Sequence, residues 1–435
     1  MSSSLPSISE HRSLRFGVLF VLYLAQGVPY GLILIALPGW LVNEGVSAVE
    51  LGVYVSAASL PWTLKFLHGF FMDRYAFLPM GRRRPWLIGA QLLMVLGLLA
   101  AAALNPPVAD LSLLAALGFT VMLATTVQDV AVDGMAVDLL AEGERAKANG
   151  LMFGAQSVGI AAGGAVSGAL ISQNGGLTSA MLAVAGFVSL AIVLMALLRE
   201  RPGERLLPWS PGRAAAESQA LQVADWRALL KRTFRALLTG RSLAIIFGVI
   251  LAGASWGYYL ALAPLLSAEA AGWDTARYSA VSGLGALVSG IAAIAIFGLW
   301  VERVGTRIGL MAATGLMGGL FALMAVVPDQ WARGEVMTGF ILILNCLYVL
   351  LLVAFAALAM RICDRAVSAT QFGLYVAGAN LGASLAAAIF GPVMEAYSFF
   401  GVLSVAAAGM FLSCGVFAVV GASERSAVVG RPLVD

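Results

Sequence analysis

The chain has little charge and few residues able to do polar chemistry. Of its 435 residues only 11% are Asp, Glu, Lys or Arg, and there are two histidines and three cysteines. Soluble domains are about 25% charged and about 45–50% apolar, so these residues cannot clothe a water-soluble fold of this length. No Gly-Lys-Ser/Thr phosphate loop occurs, which leaves no cradle of that kind for ATP. His11 and His68 are isolated, and Cys346, Cys363 and Cys414 are scattered through apolar stretches. That spacing builds neither a disulfide framework nor a metal site, and the cysteines read as small buried apolar side chains. Nothing points to an enzyme or to a cofactor, and the net charge of +3 gives no reason to expect a nucleic-acid partner.

What is abundant is apolar: 60% of the residues are hydrophobic and the mean hydropathy is +0.92. The runs are long and not alternating, which indicates membrane-spanning helices of about 20 residues each and not a barrel. Twelve are expected, near 16–40, 49–71, 86–105, 111–138, 148–173, 178–198, 242–267, 277–300, 307–327, 335–360, 367–394 and 398–421. The fold class expected is therefore all-α, polytopic, with two six-helix bundles. Residues 1–198 would form the first, 199–241 a linker and 242–435 the second.

Charge placement sets the orientation. Of 26 Lys and Arg residues, 23 lie on one alternating set of connections: the N-terminal tail, the 72–85, 139–147 and 199–241 segments, the turns near 303 and 361, and the C-terminal tail. The other set has Arg277 and Arg333 alone, and Lys65 falls inside a span. By the positive-inside rule both termini and the linker are expected in the cytosol, the N-terminal stretch being a tail and not a cleaved signal. A multi-pass protein of an inner membrane is the expectation. The halves also echo each other: "GLILIALP", ending at Pro38, by "GYYLALAP", ending at Pro264, and "GFFMDR", from Gly69, by "GLWVER", from Gly298. A six-plus-six duplication is a secondary-transporter architecture, with the solute site between the halves and the energy drawn from an ion gradient or the solute's own.

The linker opens with "RERPGERLLPWSPGR", a Pro/Gly/Arg-rich stretch expected to be irregular. Trp226, Leu229, Leu230, Phe234, Leu237 and Leu238 then recur at helical spacing, with Arg227, Lys231, Arg232 and Arg235 opposite. An amphipathic helix on the inner leaflet is expected, serving chiefly as a tether.

Ionisable groups deep in the spans are few, and such residues mark function by default. "QDVAVDGMAVD" places Asp129 and Asp133 on one face of the fourth helix, four residues apart. Asp138 points away from them, near the cytosolic end. Lys65 lies eight residues before Asp73, hence about 12 Å from the membrane edge, at a depth matching Asp133. Two readings stay open: a permanent Lys65–Asp133 strut, or a pair made and broken as protons pass, with Asp129 titrating and Asp133 partnering Lys65. At the cytosolic edge Asp73, Arg74, Arg82, Arg83 and Asp138 form a candidate gate, extended by Glu302 and Arg303 through the repeat, while Arg84 completes the arginine run. Candidate solute contacts are Gln26, Tyr30 and Gln128 in the first half, and Trp256, Tyr258, Tyr259, Asn345, Tyr348 and Asn380 in the second. For the aromatics packing competes with this reading, and for the amides helix–helix hydrogen bonding does.

"LPWTLKFLHGFFMDRYAFLPMGRRRPW", "QDVAVDGMAVDLL" and "YLAQGVPYG" resemble the major facilitator superfamily, and within it the branch of muropeptide permeases and acetyl-CoA transporters, with single-unit siderophore permeases close by. The motifs cover residues 23–150. The resemblance implies proton-driven import, with Lys65, Asp129 and Asp133 at branch signature positions. Muropeptide permeases often carry two more helices than this chain has room for, which raises the siderophore alternative. The resulting expectation is a proton-coupled, monomeric symporter whose partners are a solute and the bilayer, working by alternating access. Its cargo is a bulky polar solute, peptidoglycan fragments ahead of iron–siderophores. The rivals are an exporter of lipophilic compounds and a non-transporting sensor or scaffold.

Overall fold

In a computed structural model, residues 7–46, 48–172, 176–223, 225–273 and 275–429 are described; Arg431 of the charge census lies outside them. The described residues are helical almost throughout. The first six spans are Arg12–Leu41, Ala48–Arg74, Arg84–Leu104, Leu111–Leu139, Arg145–Leu170 and Gly176–Leu197. The next four are Gly240–Glu269, residues 275–304, Thr306–Val326 and Gly334–Ile362. The last two run continuously as Ser368–Val429 but break at Ser398, whose φ of 56° lies in the left-handed region. Twelve spans result among the described residues.

Among the described residues nine helices are long and apolar enough to cross a membrane by length and composition. The second, fifth and eleventh are not among them, although the second and fifth, at 27 and 26 residues, exceed the about 20 needed. The second carries Lys65, His68, Asp73 and Arg74, and the fifth opens on Arg145 and Lys147. Elsewhere the outer face is oily: Leu96, Leu190 and Val193 are 55–68% exposed, as lipid-facing positions must be.

The chain divides into two compact units, Met1–Ala141, Gly154–Thr233 and Cys363–Gly373 in one, Glu142–Phe153, Phe234–Ile362 and Leu374–Asp435 in the other. Each thus takes in a short segment from the opposite half of the sequence, and most of the linker belongs to the first. Within that unit the fourth span packs along the first, second and third. Leu32, Ile33, Tyr54, Met94, Leu98, Met122 and Val188 form a buried apolar cluster there.

The repeat is visible in how helices touch. In the first unit Gly27 and Gly31 bring the first span against the fifth so closely that a Cβ at Gly31 would meet the Ile160 carbonyl oxygen at 2.3 Å. In the second unit Gly253 and Gly257, each 226 residues later, do the same for the seventh and eleventh spans, with the Ala379 oxygen 2.0 Å from a Cβ at Gly253. Small residues permit such approaches in membranes, where dispersion and polar contacts drive helix pairing. These contacts anchor the first span, and with it Tyr23 and Gln26, beside the fourth.

Candidate functional site

Lys65 and the two aspartates of the fourth span come together inside the first unit, but not with the expected partners. Lys65 Nζ lies 2.7 Å from Asp129 Oδ2, so the ion pair is with Asp129 and not Asp133. Asp129 Oδ1 accepts from Gln26 Nε2 at 2.9 Å. Asp133, one turn on, accepts the hydroxyl of Tyr23. The correction is one helical turn, about 5.4 Å, which depth measured from helix ends cannot resolve. Lys65 also sits 5.6 Å from the Trp62 ring, and Trp62 meets Tyr30 edge-on at 5.8 Å. A continuous polar wall therefore runs Tyr30, Trp62, Lys65, Asp129, Gln26, with Asp133 and Tyr23 beneath it.

The cluster is not sealed, since Lys65, Asp129 and Asp133 keep 4–5% of their surface exposed. Around it Gln26 Oε1, Trp62 Nε1 and His68 Nδ1 are buried without hydrogen-bond partners. Gln128 does not join it. Its amide nitrogen donates to the Leu22 carbonyl at 2.7 Å, a tie between the fourth and first spans.

A second ionic cluster closes the arginine-rich end of the same unit. Asp73 accepts from Arg82 Nη2 at 3.1 Å and from Arg83 Nη2 at 2.6 Å. Asp138 accepts from Arg82 Nη1 and Arg83 Nε, both at 3.0 Å. Two acids and two guanidiniums, all buried, balance. They hold the segment 363–373: Ser368 Oγ donates to Asp138 at 2.9 Å, the Thr370 N–H donates to Asp73 at 2.8 Å, and Arg82 donates to the carbonyls of Arg365 and Ala366. Gly69 lets that segment reach the second span, where a Cβ would stand 2.6 Å from the Ala369 oxygen.

Three candidates for this cluster fall outside it. Arg74 lies over the Tyr75 ring, 5.0 Å from its centroid, and pairs with no carboxylate among the described residues. Glu302 and Arg303 are exposed and in no ion pair among the described residues. Around their span the second unit uses close packing instead: Gly150 against Ala293 and Gly298, and Gly298 against Ala146 and Lys147. Glu142 pairs with Arg361 nearby. The repeat places equivalent residues, but only the first half has the arginine run and Asp138 to meet them.

In the second unit Trp256 stacks on Tyr348 with ring centres 3.6 Å apart and planes 2° from parallel. Tyr259 lies 4.7 Å from Trp256 and accepts from Asn345 at 3.1 Å. A cavity of about 190 Å³ opens onto Trp256, Tyr348, Leu352, Phe355 and Asn380. Tyr258 is buried, its ring 6.5 Å from Phe390, outside that lining.

The linker's opening is irregular as expected, a run of turns and bends over 199–215, and the amphipathic helix follows as Trp226–Leu237. Hydrogen bonds hold the irregular part in place. Glu200 accepts the backbone N–H groups of Arg82, Arg83 and Arg84 at 3.1, 2.9 and 3.0 Å, satisfying orphan donors at the head of the third span. The gate arginines are thereby held by backbone as well as side chain. Arg84 turns away to the carbonyls of Met195, Arg205 and Leu206. Glu204 accepts from the Arg201 N–H and from Ser218 Oγ. Burial, reinforced by the neighbouring Glu200, pushes the Glu204 carboxyl up from 4.5 to about 7. The folded linker then binds a proton more tightly than the unfolded one. The stabilisation from this protonated carboxyl is full below pH 4.5 and is lost as pH rises through about 7. Hydrogen exchange of residues 200–218, corrected for intrinsic rate, should show protection declining from pH 5 to 8; Glu204→Gln should flatten that decline.

Tyr23, Trp62, Ser368 and Glu200 escaped the sequence reading. Tyr23, Gln26 and Tyr30 do form a stripe at helical spacing, which was a usable signal for the first. Glu200 reaches its partners from 116–118 residues away and left none.

Comparison with known proteins adds a family. The Major Facilitator Superfamily model matches residues 19–387. The chain is 24% identical over 400 residues to the anhydromuropeptide permease of Escherichia coli strain K12, across 91% of this chain and 77% of that protein. Among solved structures it is similar to the human organic anion transporter MFSD10 (TM-score 0.70, 14% identity, 92% of this chain and 98% of that one). It is also similar to the transporter FucP in its outward conformation (TM-score 0.70, 14% identity, 93% and 98%). These structural likenesses concern the fold.

Proposed function

The chain belongs to the major facilitator superfamily, a family of transporters, and from that premise we propose that it is a proton-coupled importer of a bulky polar solute of the anhydromuropeptide kind. It is a multi-pass membrane protein and a secondary transporter; the lysine and arginine bias supports an inner-membrane orientation with both termini cytosolic. Likeness to the anhydromuropeptide permease along most of the chain supports the solute class.

The observation that carries the coupling is the cluster itself: one ammonium, two carboxylates one turn apart, and a hydroxyl on the second. One lysine neutralises one carboxylate. A proton reaching Asp129 releases Lys65, and Asp133 is close enough to receive it. Proton occupancy thereby changes which side chains tie the second span to the fourth. The unpartnered Gln26 Oε1, Trp62 Nε1 and His68 Nδ1 suit a solute rich in hydroxyl and amide groups, and the Trp256–Tyr348 stack suits a flat apolar face. The Asp73–Arg82–Arg83–Asp138 cluster is the cytosolic clip, gripping 363–373 in one state and releasing it in the other.

Purified protein in vesicles with an alkaline interior should accumulate anhydromuropeptide, and a proton uncoupler should abolish the accumulation. Uptake indifferent to the uncoupler would end the coupling claim. Accumulation of an iron–siderophore in its place would keep the mechanism and reassign the cargo.

A further inference from the structure

Arg74, absent from the ionic cluster beside it, has another setting. A cavity of about 430 Å³ lies between the end of the second span and the start of the third, lined by Arg74, Tyr75, Phe77, Pro85, Trp86 and Gln222. Its walls are tied together: Trp86 Nε1 donates to the Tyr75 carbonyl at 2.7 Å, and Gln222 Nε2 to the Arg74 carbonyl at 2.8 Å. Two polar atoms in this wall are buried without partners, Arg74 Nε and Gln222 Oε1. A guanidinium N–H left so is costly, and its planar fork matches the oxygens of a phosphate. No carboxylate competes for it among the described residues.

The rim specifies the carrier of that phosphate. Phe71, Tyr75 and Phe77 are 45–50% exposed, the aromatic belt of a membrane interface. Trp226 of the linker helix, Trp226–Leu237, packs edge-on against Phe71 and Tyr75 at 5.7 and 5.8 Å. The next residues of that helix expose Leu230 between Arg227 and Lys231. A cation pocket with an apolar slope on one side and further cations beyond it matches a lipid better than a free anion. We propose that this cavity binds the phosphate of an anionic phospholipid of the inner leaflet, with Arg74 on the phosphate, Gln222 Oε1 on a headgroup hydroxyl and an acyl chain over Phe71.

The test is native mass spectrometry of the purified full chain with phosphatidylglycerol or phosphatidylcholine. The wild type should retain phosphatidylglycerol about fivefold better. Arg74→Gln should bind it about tenfold more weakly, and Arg74→Lys should keep most of the affinity. Equal retention of the two lipids by the wild type, or unchanged phosphatidylglycerol binding by Arg74→Gln, would overturn the site. Displacement of the lipid by equimolar glycerol phosphate would overturn the lipid assignment in favour of a soluble phosphate ester. If Arg74→Gln does not purify as a folded protein, the wild-type headgroup preference and the glycerol phosphate competition decide alone.

Discussion

Asp129→Asn should lose pH-driven accumulation and keep solute counterflow. With one proton per solute and a gradient of one pH unit, the accumulation ratio should fall from about tenfold to one, since a pH unit corresponds to about 1.4 kcal/mol. Counterflow requires binding and the conformational cycle but no net proton movement. The substitution is gentle in structure. Asparagine preserves the shape of Asp129 and one acceptor for Gln26 Nε2, now 2.9 Å from Oδ1. Lys65 is not stranded, because Asp133 remains one turn away as a carboxylate, leaving one ammonium and one acid in the low-dielectric interior. An ion pair stripped of one partner would otherwise cost about 3–5 kcal/mol. Loss of accumulation and counterflow together would instead assign Asp129 to folding or solute binding. Normal transport after Lys65 and Asp129 are both neutralised would remove the switch while leaving the transporter.

Helix number and the duplication were legible in the sequence because they rest on run length and offset, and Gly27 and Gly253 show the offset as repeated helix contact. The meeting of Lys65 with the fourth span was legible from matched depth, but its partner was not. A lysine stem several ångströms long reaches either of two acids one turn apart, and the choice falls to Gln26 and Tyr23 on a third helix. The echo of "GFFMDR" in "GLWVER" located Glu302 and Arg303 correctly in the fold and wrongly in role, because partners are supplied by other segments. For Asp73 those are Arg82, Arg83 and the Thr370 N–H. In the linker the irregular opening and the helix Trp226–Leu237 were legible, but what orders them was not. That order comes from single acids satisfying distant backbone groups, and such contacts leave no period in the sequence.

Asp138→Ala should release the segment 363–373 and stop turnover. Asp138 accepts from Arg82, Arg83 and Ser368, and Asp73 from the same two arginines. Removing one acid leaves two buried guanidiniums against one carboxylate, an imbalance costing about 3–5 kcal/mol. That cost falls only on the state in which the clip is closed. The closed population should therefore drop by about a hundredfold or more. A cysteine placed at Thr370 reports it: the Thr370 hydroxyl has no partner while its backbone N–H is held by Asp73, so the side chain can change without cutting the clip. In a background lacking Cys346, Cys363 and Cys414, thiol labelling of Thr370→Cys should rise about a hundredfold when Asp138→Ala is added. Charge balance and plain loss of contact are separated by the double variant Arg82→Gln/Asp138→Asn. It leaves Arg83 facing Asp73 as a neutral pair, and should return labelling most of the way to the parental rate even though fewer hydrogen bonds remain. Should the double variant label as fast as Asp138→Ala alone, the clip is held by the number of its contacts and the balance of buried charge is not what sets it.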